Sequence, residues 1–143
     1  MIRSAIETDV PRIVDMGLTF MRLYYAGKLT ENREQLEATV RGLLTNERAR
    51  ILVSENGHGV DGMISFVVSP HPFSGEVSAL ELVWWVEPEA RGTIGLKLLR
   101  EAAQVASQMG ATKIVMISPT AAVDQLYKRL GYEEVEKVFQ RRL

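Results

Sequence analysis

The residues best placed for chemistry lie between Leu82 and Arg100. An apolar run ends at Val86, a turn holds Arg91-Gly92-Thr93-Ile94-Gly95, and a helical pattern starts at once, with Lys97 and Arg100 in its first turns. A helix start presents unpaired N–H groups and the positive end of the peptide dipoles, which makes it a seat for an anion such as phosphate. Glycines let the backbone approach that anion, and Arg91 adds a permanent charge. A tight strand-to-helix turn with no ligand uses the same glycines, so by itself this segment leaves binding and plain turning equally open. Other chemistry is thinner. The absence of cysteine removes disulfides, thiolate metal sites and cysteine nucleophiles together. The two histidines, His58 and His71, sit in loop-like sequence and are too few for a metal cage, so no metal is expected.

A chain of 143 residues is the size of one domain, here taken as 1–143. A net charge of -1 gives no general reason to expect nucleic acid or an anionic membrane as partner. Arg141 and Arg142 read as a solvated strand end rather than a basic tail. No stretch approaches the ~20 apolar residues of a membrane span, and the N-terminus lacks the apolar core of a signal peptide. A cytoplasmic protein is the expectation.

The elements that must position the glycine turn follow from periodicity. Ile2 to Ile6 alternates as a short strand. Asp9-Val10-Pro11 looks like a capped helix start, followed at helical spacing by Ile13, Val14, Gly17 and Met21. A second helix begins near Asn32, where Gln35 suggests a capping box, and carries the stripe Leu36, Val40, Leu43 and Leu44. Ile51–Glu55 and Val60–Val68 flank Asn56-Gly57-His58-Gly59 as a hairpin. Residues 69–75 read as a loop, and Val77–Val86 as the longest strand. Gly95–Met109 is an amphipathic helix stopped by Gly110. Lys113–Ile117 is β-rich, a short helix carries Val123, Leu126, Tyr127 and Leu130, and Val135–Arg142 can supply one or two closing strands. The strand–helix–strand unit from Val77 to Ile117 joins parallel strands and the hairpin before it is antiparallel. The sheet is therefore mixed, in an α/β (α+β) fold.

The segment Val86-x-Pro88-x-x-Arg91-Gly92, with Gly95, Leu98 and Leu99, resembles motif A of the GNAT superfamily of acyl-CoA-dependent N-acyltransferases. About thirty residues on, Leu126-Tyr127-Lys128-Arg129-Leu130-Gly131-Tyr132 is similar to that family's Leu-Tyr-x-x-x-Gly-Phe/Tyr block. The element order also matches along nearly the whole chain. Two departures stand out: the glycine loop lacks the family's middle glycine, and Thr120 stands where an asparagine is common.

The resemblance implies a single domain whose mixed, mostly antiparallel sheet splays around the cofactor and is flanked by about four helices. It implies acetyl-CoA as acyl donor and an amine of a small molecule or protein as acceptor, with a homodimer left open. Trp84 and Val86 would pair through their backbones with the pantetheine arm, the Val86 N–H stabilising the oxyanion. The amides of Arg91, Gly92, Thr93, Ile94, Gly95 and Leu96 would hold the pyrophosphate, and Thr120 would replace part of the asparagine's bonding. Gly95→Glu should then abolish coenzyme A binding while leaving the fold largely intact. Tyr127 would act on the departing thiolate, and Glu81 is the candidate base, with Glu76, Glu87 and His71 behind it. Met21, Arg22, Tyr24 and Tyr25 would lie near the acceptor. A catalytically silent acyl-CoA binder and a protein-interaction module are the rivals. A dinucleotide binder is disfavoured, since Gly92-Thr93-Ile94-Gly95 is not G-x-G-x-x-G.

Overall fold

The computed structural model describes residues 1–143. Five strands form one sheet in chain order: β1 (Ile2–Ser4), β2 (Ala49–Asn56), β3 (Gly59–Pro70), β4 (Val77–Val86) and β5 (Lys113–Val115). The first four are antiparallel neighbours, and β5 alone runs parallel to its partner β4. Four helices flank the sheet: α1 (Val10–Tyr24), α2 (Arg33–Thr45), α3 (Thr93–Gln108) and α4 (Ala121–Arg129).

Both faces of the sheet are covered, so the central strands are apolar on both sides. Ile51, Val53, Met63 and Trp85 face α1 and α2, where they meet Val10, Ile13, Val14 and Val40. Leu52, Ile64, Phe66, Ala79 and Val86 face α3 and meet Leu98, Leu99, Ala102 and Ala106. The alternation of Ile51, Leu52 and Val53 between the two clusters is the two-residue period of a strand.

Asn32 caps α2, its Oδ1 accepting from the Gln35 N–H at 3.0 Å. The Gln35 amide turns forward to Thr39 rather than back, so only half of the expected box forms. Asp9 is not a side-chain cap of α1. Its carboxylate instead accepts from the Ile6 N–H at 2.8 Å and from both terminal nitrogens of Arg3, at 2.7 and 3.0 Å.

The closing strands expected over Val135–Arg142 do not form, and β5 stops at Val115 rather than Ile117. Val135 and Phe139 would share a strand face, but Lys137 lies between them and Val138 points the other way, so neither face is continuously apolar. All three apolar residues stay exposed. The tail instead touches the α1–α2 loop, through Gln140 to the Lys28 carbonyl and Arg142 to the Gly27 carbonyl.

What matters most for a site is how β4 ends. It pairs with β5 only over Ser78, Ala79 and Leu80, yet continues along β3 to Val86. Leu82 is an extra residue on β4, skipped where Ser65 pairs with Val83 and Phe66 with Glu81. A bulge of this kind bends a strand and resets which edge its groups face. Before it, the Val77 carbonyl faces β5 and accepts from Thr112. Beyond it, the Glu87 N–H bonds to the Asp61 carbonyl of β3, so by alternation the N–H groups of Trp84 and Val86 point away from β3. The sheet therefore opens past Leu80, and those groups line the open edge.

Candidate active site

The slot between β4 and the chain after β5 holds the predicted acid and base. Glu81, on β4 beside the bulge, is 5% exposed, and its Oε2 accepts from the Ile117 N–H at 2.9 Å. Tyr127, on α4, is 7% exposed, and its hydroxyl donates to the Ile117 carbonyl at 3.1 Å. The Tyr127 ring lies nearly parallel to that of Trp84, 6.0 Å between centroids, and tilts against Tyr132 at 5.3 Å. Phe20 and Tyr24 of α1, with Ile117, Pro119 and Val123, complete a cavity of about 50 Å³ around these groups.

Burial pushes the Glu81 carboxyl up to about 7, against the single N–H from Ile117 that favours its charged form. No cation pairs with it. Burial, and secondarily the charge of Glu81, hold the Tyr127 phenol well above the usual tyrosine range. The cleft thus pairs a carboxyl able to take a proton near neutrality with a phenol that keeps its own and donates a hydrogen bond.

The rival bases are otherwise engaged. Glu76 is bonded to Lys113 at 2.7 Å and Glu87 to Arg12 at 2.8 Å. The His71 Nδ1 accepts from the Phe73 N–H at 3.1 Å, in the loop at the opposite end of β4 from Val86. Of the α1 candidates, Tyr24 lines the cavity and Tyr25 lies against Phe20 at 5.9 Å, whereas Met21 packs into the core and Arg22 is bonded to Glu31. Phe20 was missed in the sequence, although its i,i+4 spacing from Tyr24 marks a shared helix face. Ile117 was missed too, because its contribution is backbone and no residue type signals it.

The glycine turn lies beyond the end of β4. Gly92, just before α3, has φ +139° and ψ -122°, a conformation open essentially to glycine alone. No side chain caps α3, so the N–H groups of its first turn remain available to an anion. Gly95 has a different reason: a Cβ there would lie 3.3 Å from Trp84 Cζ2, so the glycine lets the helix seat on that indole. Gly95→Glu would therefore press on Trp84 as well as repel an anion, and it cannot leave the packing untouched.

The Arg91 side chain turns back toward β4. Its Nε donates to the Val86 carbonyl at 3.1 Å, and its guanidinium lies 5.0 Å over the Trp85 ring. The Thr120 hydroxyl caps α4, accepting from the Val123 N–H at 3.3 Å. The indole N–H groups of Trp84 and Trp85 are buried with no acceptor.

A larger open hollow, about 370 Å³, lies between Arg12, His58, Asp61, Glu87 and Glu89. Of the predicted site residues only the secondary base candidate Glu87 lines it, and Arg12–Glu87 and Asn56–Asp61 bonds engage its side chains with one another. No helix is long and apolar enough to cross a membrane.

The sequence model of the acetyltransferase (GNAT) family matches residues 16–132. No curated protein matches the chain significantly. Solved structures similar to it include a transcriptional regulator from Bacillus halodurans C-125, 19% identical, with a TM-score of 0.80 over 100% of this chain and 99% of that one. The ribosomal-protein-alanine N-acetyltransferase of Brucella melitensis biovar Abortus 2308 is 18% identical, with a TM-score of 0.74 over 100% and 98%. AAC(6')-Iy in complex with a bisubstrate analogue, CoA-S-monomethyl-acetylneamine, is 15% identical, with a TM-score of 0.78 over 100% and 97%. At these identities the likeness is one of fold.

Proposed function

The chain belongs to the GNAT acetyltransferase family, and from that premise we propose that it moves an acetyl (acyl) group from acetyl-CoA to an amine of a small molecule or protein, by direct attack in a ternary complex. The observation that carries this reading is the open edge of β4 with Glu81 and Tyr127 facing each other across Ile117. A domain that only held acyl-CoA as a sensor would have no use for a buried, unpaired carboxyl and a buried phenol at that point.

The pyrophosphate sits on the first-turn amides of α3, where the helix end is uncapped and Gly92 takes the turn. The pantetheine arm lies along the free edge of β4, pairing with the outward backbone N–H groups of Trp84 and Val86. The amine nitrogen attacks the thioester carbon, forming the C–N bond and an oxyanion that the Val86 N–H stabilises. The proton lost by nitrogen passes to Glu81, directly or through one water, and a carboxyl near 7 suits that step better than an ordinary glutamate. The C–S bond then breaks, and the Tyr127 hydroxyl, turning its one O–H away from the Ile117 carbonyl, donates a hydrogen bond to the departing thiolate. Full transfer of its proton is disfavoured by the raised phenol value. The products are the amide and coenzyme A.

The test is incubation of the purified protein with labelled acetyl-CoA and a panel of amines, following both free thiol and labelled amide. Amine-dependent release of coenzyme A with stoichiometric amide supports the reading. Acetyl-CoA binding without any amide, across the panel and in cell extract, reduces the protein to a silent binder.

A further inference from the structure

We propose that the acceptor is a primary monoamine on an unbranched carbon, with an apolar or aromatic body, and not a polyamine, an aminosugar or a lysine-rich tail. This inference rests on the acetyl-transfer reading above. Its basis is the wall of the cavity beside the thioester slot. Glu81 is the one charged side chain there, and Phe20, Tyr24, Trp84 and Tyr127 surround it with aromatic surface. Phe20 and Tyr24 meet edge to face at 5.0 Å, so their rings form a continuous apolar flank on the α1 side.

Size restricts the acceptor first. About 50 Å³ is room for roughly four water-sized groups. An ammonium and a short unbranched stem fit, whereas an amine borne directly on a sugar ring meets the walls before its nitrogen reaches Glu81.

Charge restricts it further. A single ammonium finds Glu81, but a second one a few carbons away would face rings and aliphatic walls. Cation–π contact returns only part of the hydration it loses there. The surrounding acidic side chains offer no relief, since Asp15 is held by Arg33 and Glu31 by Arg22, and Asp124 of α4 is exposed and does not line the cavity. An apolar or aromatic body, left outside the small cavity by its stem, gains from the partly exposed rings of Phe20 and Tyr24 that flank it.

The experiment compares kcat/KM at saturating acetyl-CoA for phenethylamine and hexylamine against spermidine, glucosamine and a lysine-rich peptide. The monoamines should lead by about tenfold or more. A second arm uses Val123→Glu, which adds a carboxylate to the cavity in the first turn of α4, where the helix dipole tolerates it. In that variant, shown folded by its melting curve, the preference over spermidine should shrink by about fivefold or more. Polyvalent amines used as well as monoamines would overturn the inference while leaving acetyl transfer standing. A folded Val123→Glu protein with an unchanged preference would overturn its single-carboxylate basis. Acetyl-CoA binding without turnover of either class would overturn both.

Discussion

Glu81 and Tyr127 are bound to opposite ends of one residue: Ile117 donates its N–H to the Glu81 carboxyl at 2.9 Å and accepts the Tyr127 hydroxyl on its carbonyl at 3.1 Å. In a strand that continued alongside β4, those two backbone groups would be spent on the ladder. Because β5 ends at Val115, they are free to orient side chains. The opening of the sheet and the meeting of Glu81 with Tyr127 at Ile117 therefore have one cause.

Glu81→Gln is expected to lower kcat by about 10²-fold or more and to remove the acid limb of the pH–rate profile near pH 7. It should also change stability in a set direction. The folded state raises this carboxyl from 4.5 to about 7, so between those values it holds a proton that the unfolded chain has given up. Stability falls as pH rises through that window, by about 3 kcal/mol in total, and is flat above it. Glutamine keeps the acceptor for Ile117 without the buried charge. Denaturant melts should show the variant gaining on the parent at pH 8 and not at pH 4.5; an equal difference at both pH values would mean Glu81 is not buried as a titrating group.

Thr93→Glu is a cleaner probe of the anion seat than Gly95→Glu. Thr93 is exposed at the first position of α3, where a carboxylate suits the helix dipole, so the melting temperature should hold or rise slightly. The same charge occupies the space proposed for the pyrophosphate. Acetyl-CoA affinity should fall about tenfold or more, equivalent to about 1.4 kcal/mol. Titration calorimetry that finds an unchanged Kd would move the phosphate elsewhere.

Much of this arrangement is legible in the sequence, and the exceptions have physical reasons. Val77–Val86 was bounded correctly because an apolar run against Glu87-Pro88 leaves little freedom. The glycine turn was also found, but the two glycines serve different ends: Gly92 for its dihedral angles, Gly95 for contact with Trp84. Composition cannot distinguish these. Residue type marks Arg91 as a charge beside the turn but does not show that its side chain lies over Trp85. Ile117 and the bulge at Leu82 were invisible, since both act through the backbone. The closing strands do not form because 135–142 offers no continuous apolar face: Lys137 separates Val135 from Phe139, and Val138 points the other way.

Arg91→Ala tests whether that arginine braces the end of β4. Losing the contact with Trp85 and the bond to the Val86 carbonyl should cost about 1–2 kcal/mol of stability. Arg91→Lys should recover only part of this, because an ammonium cannot offer the planar face and the directed Nε–H together. Equal stability of all three proteins in urea would show that the side chain is free in solution.

Tyr127→Phe should lower turnover far more than it lowers acetyl-CoA affinity. The hydroxyl is proposed to act on sulfur, where negative charge grows only as the C–S bond breaks, and an interaction made mainly in the transition state appears in kcat. A general acid or equivalent donor typically contributes about 10²–10⁴-fold. The ring should stay in place, since its stacking on Trp84 and its contact with Tyr132 do not need the oxygen. Stability should drop by about 1 kcal/mol, the value of one neutral hydrogen bond to the Ile117 carbonyl. The kinetic loss should shrink with an acyl donor whose thiol is more acidic, because that thiolate leaves with less help. This dependence separates the two roles of the hydroxyl. If it only positioned Ile117, and through it Glu81, the phenylalanine variant would lose the same factor with every leaving group and would shift the pH profile instead.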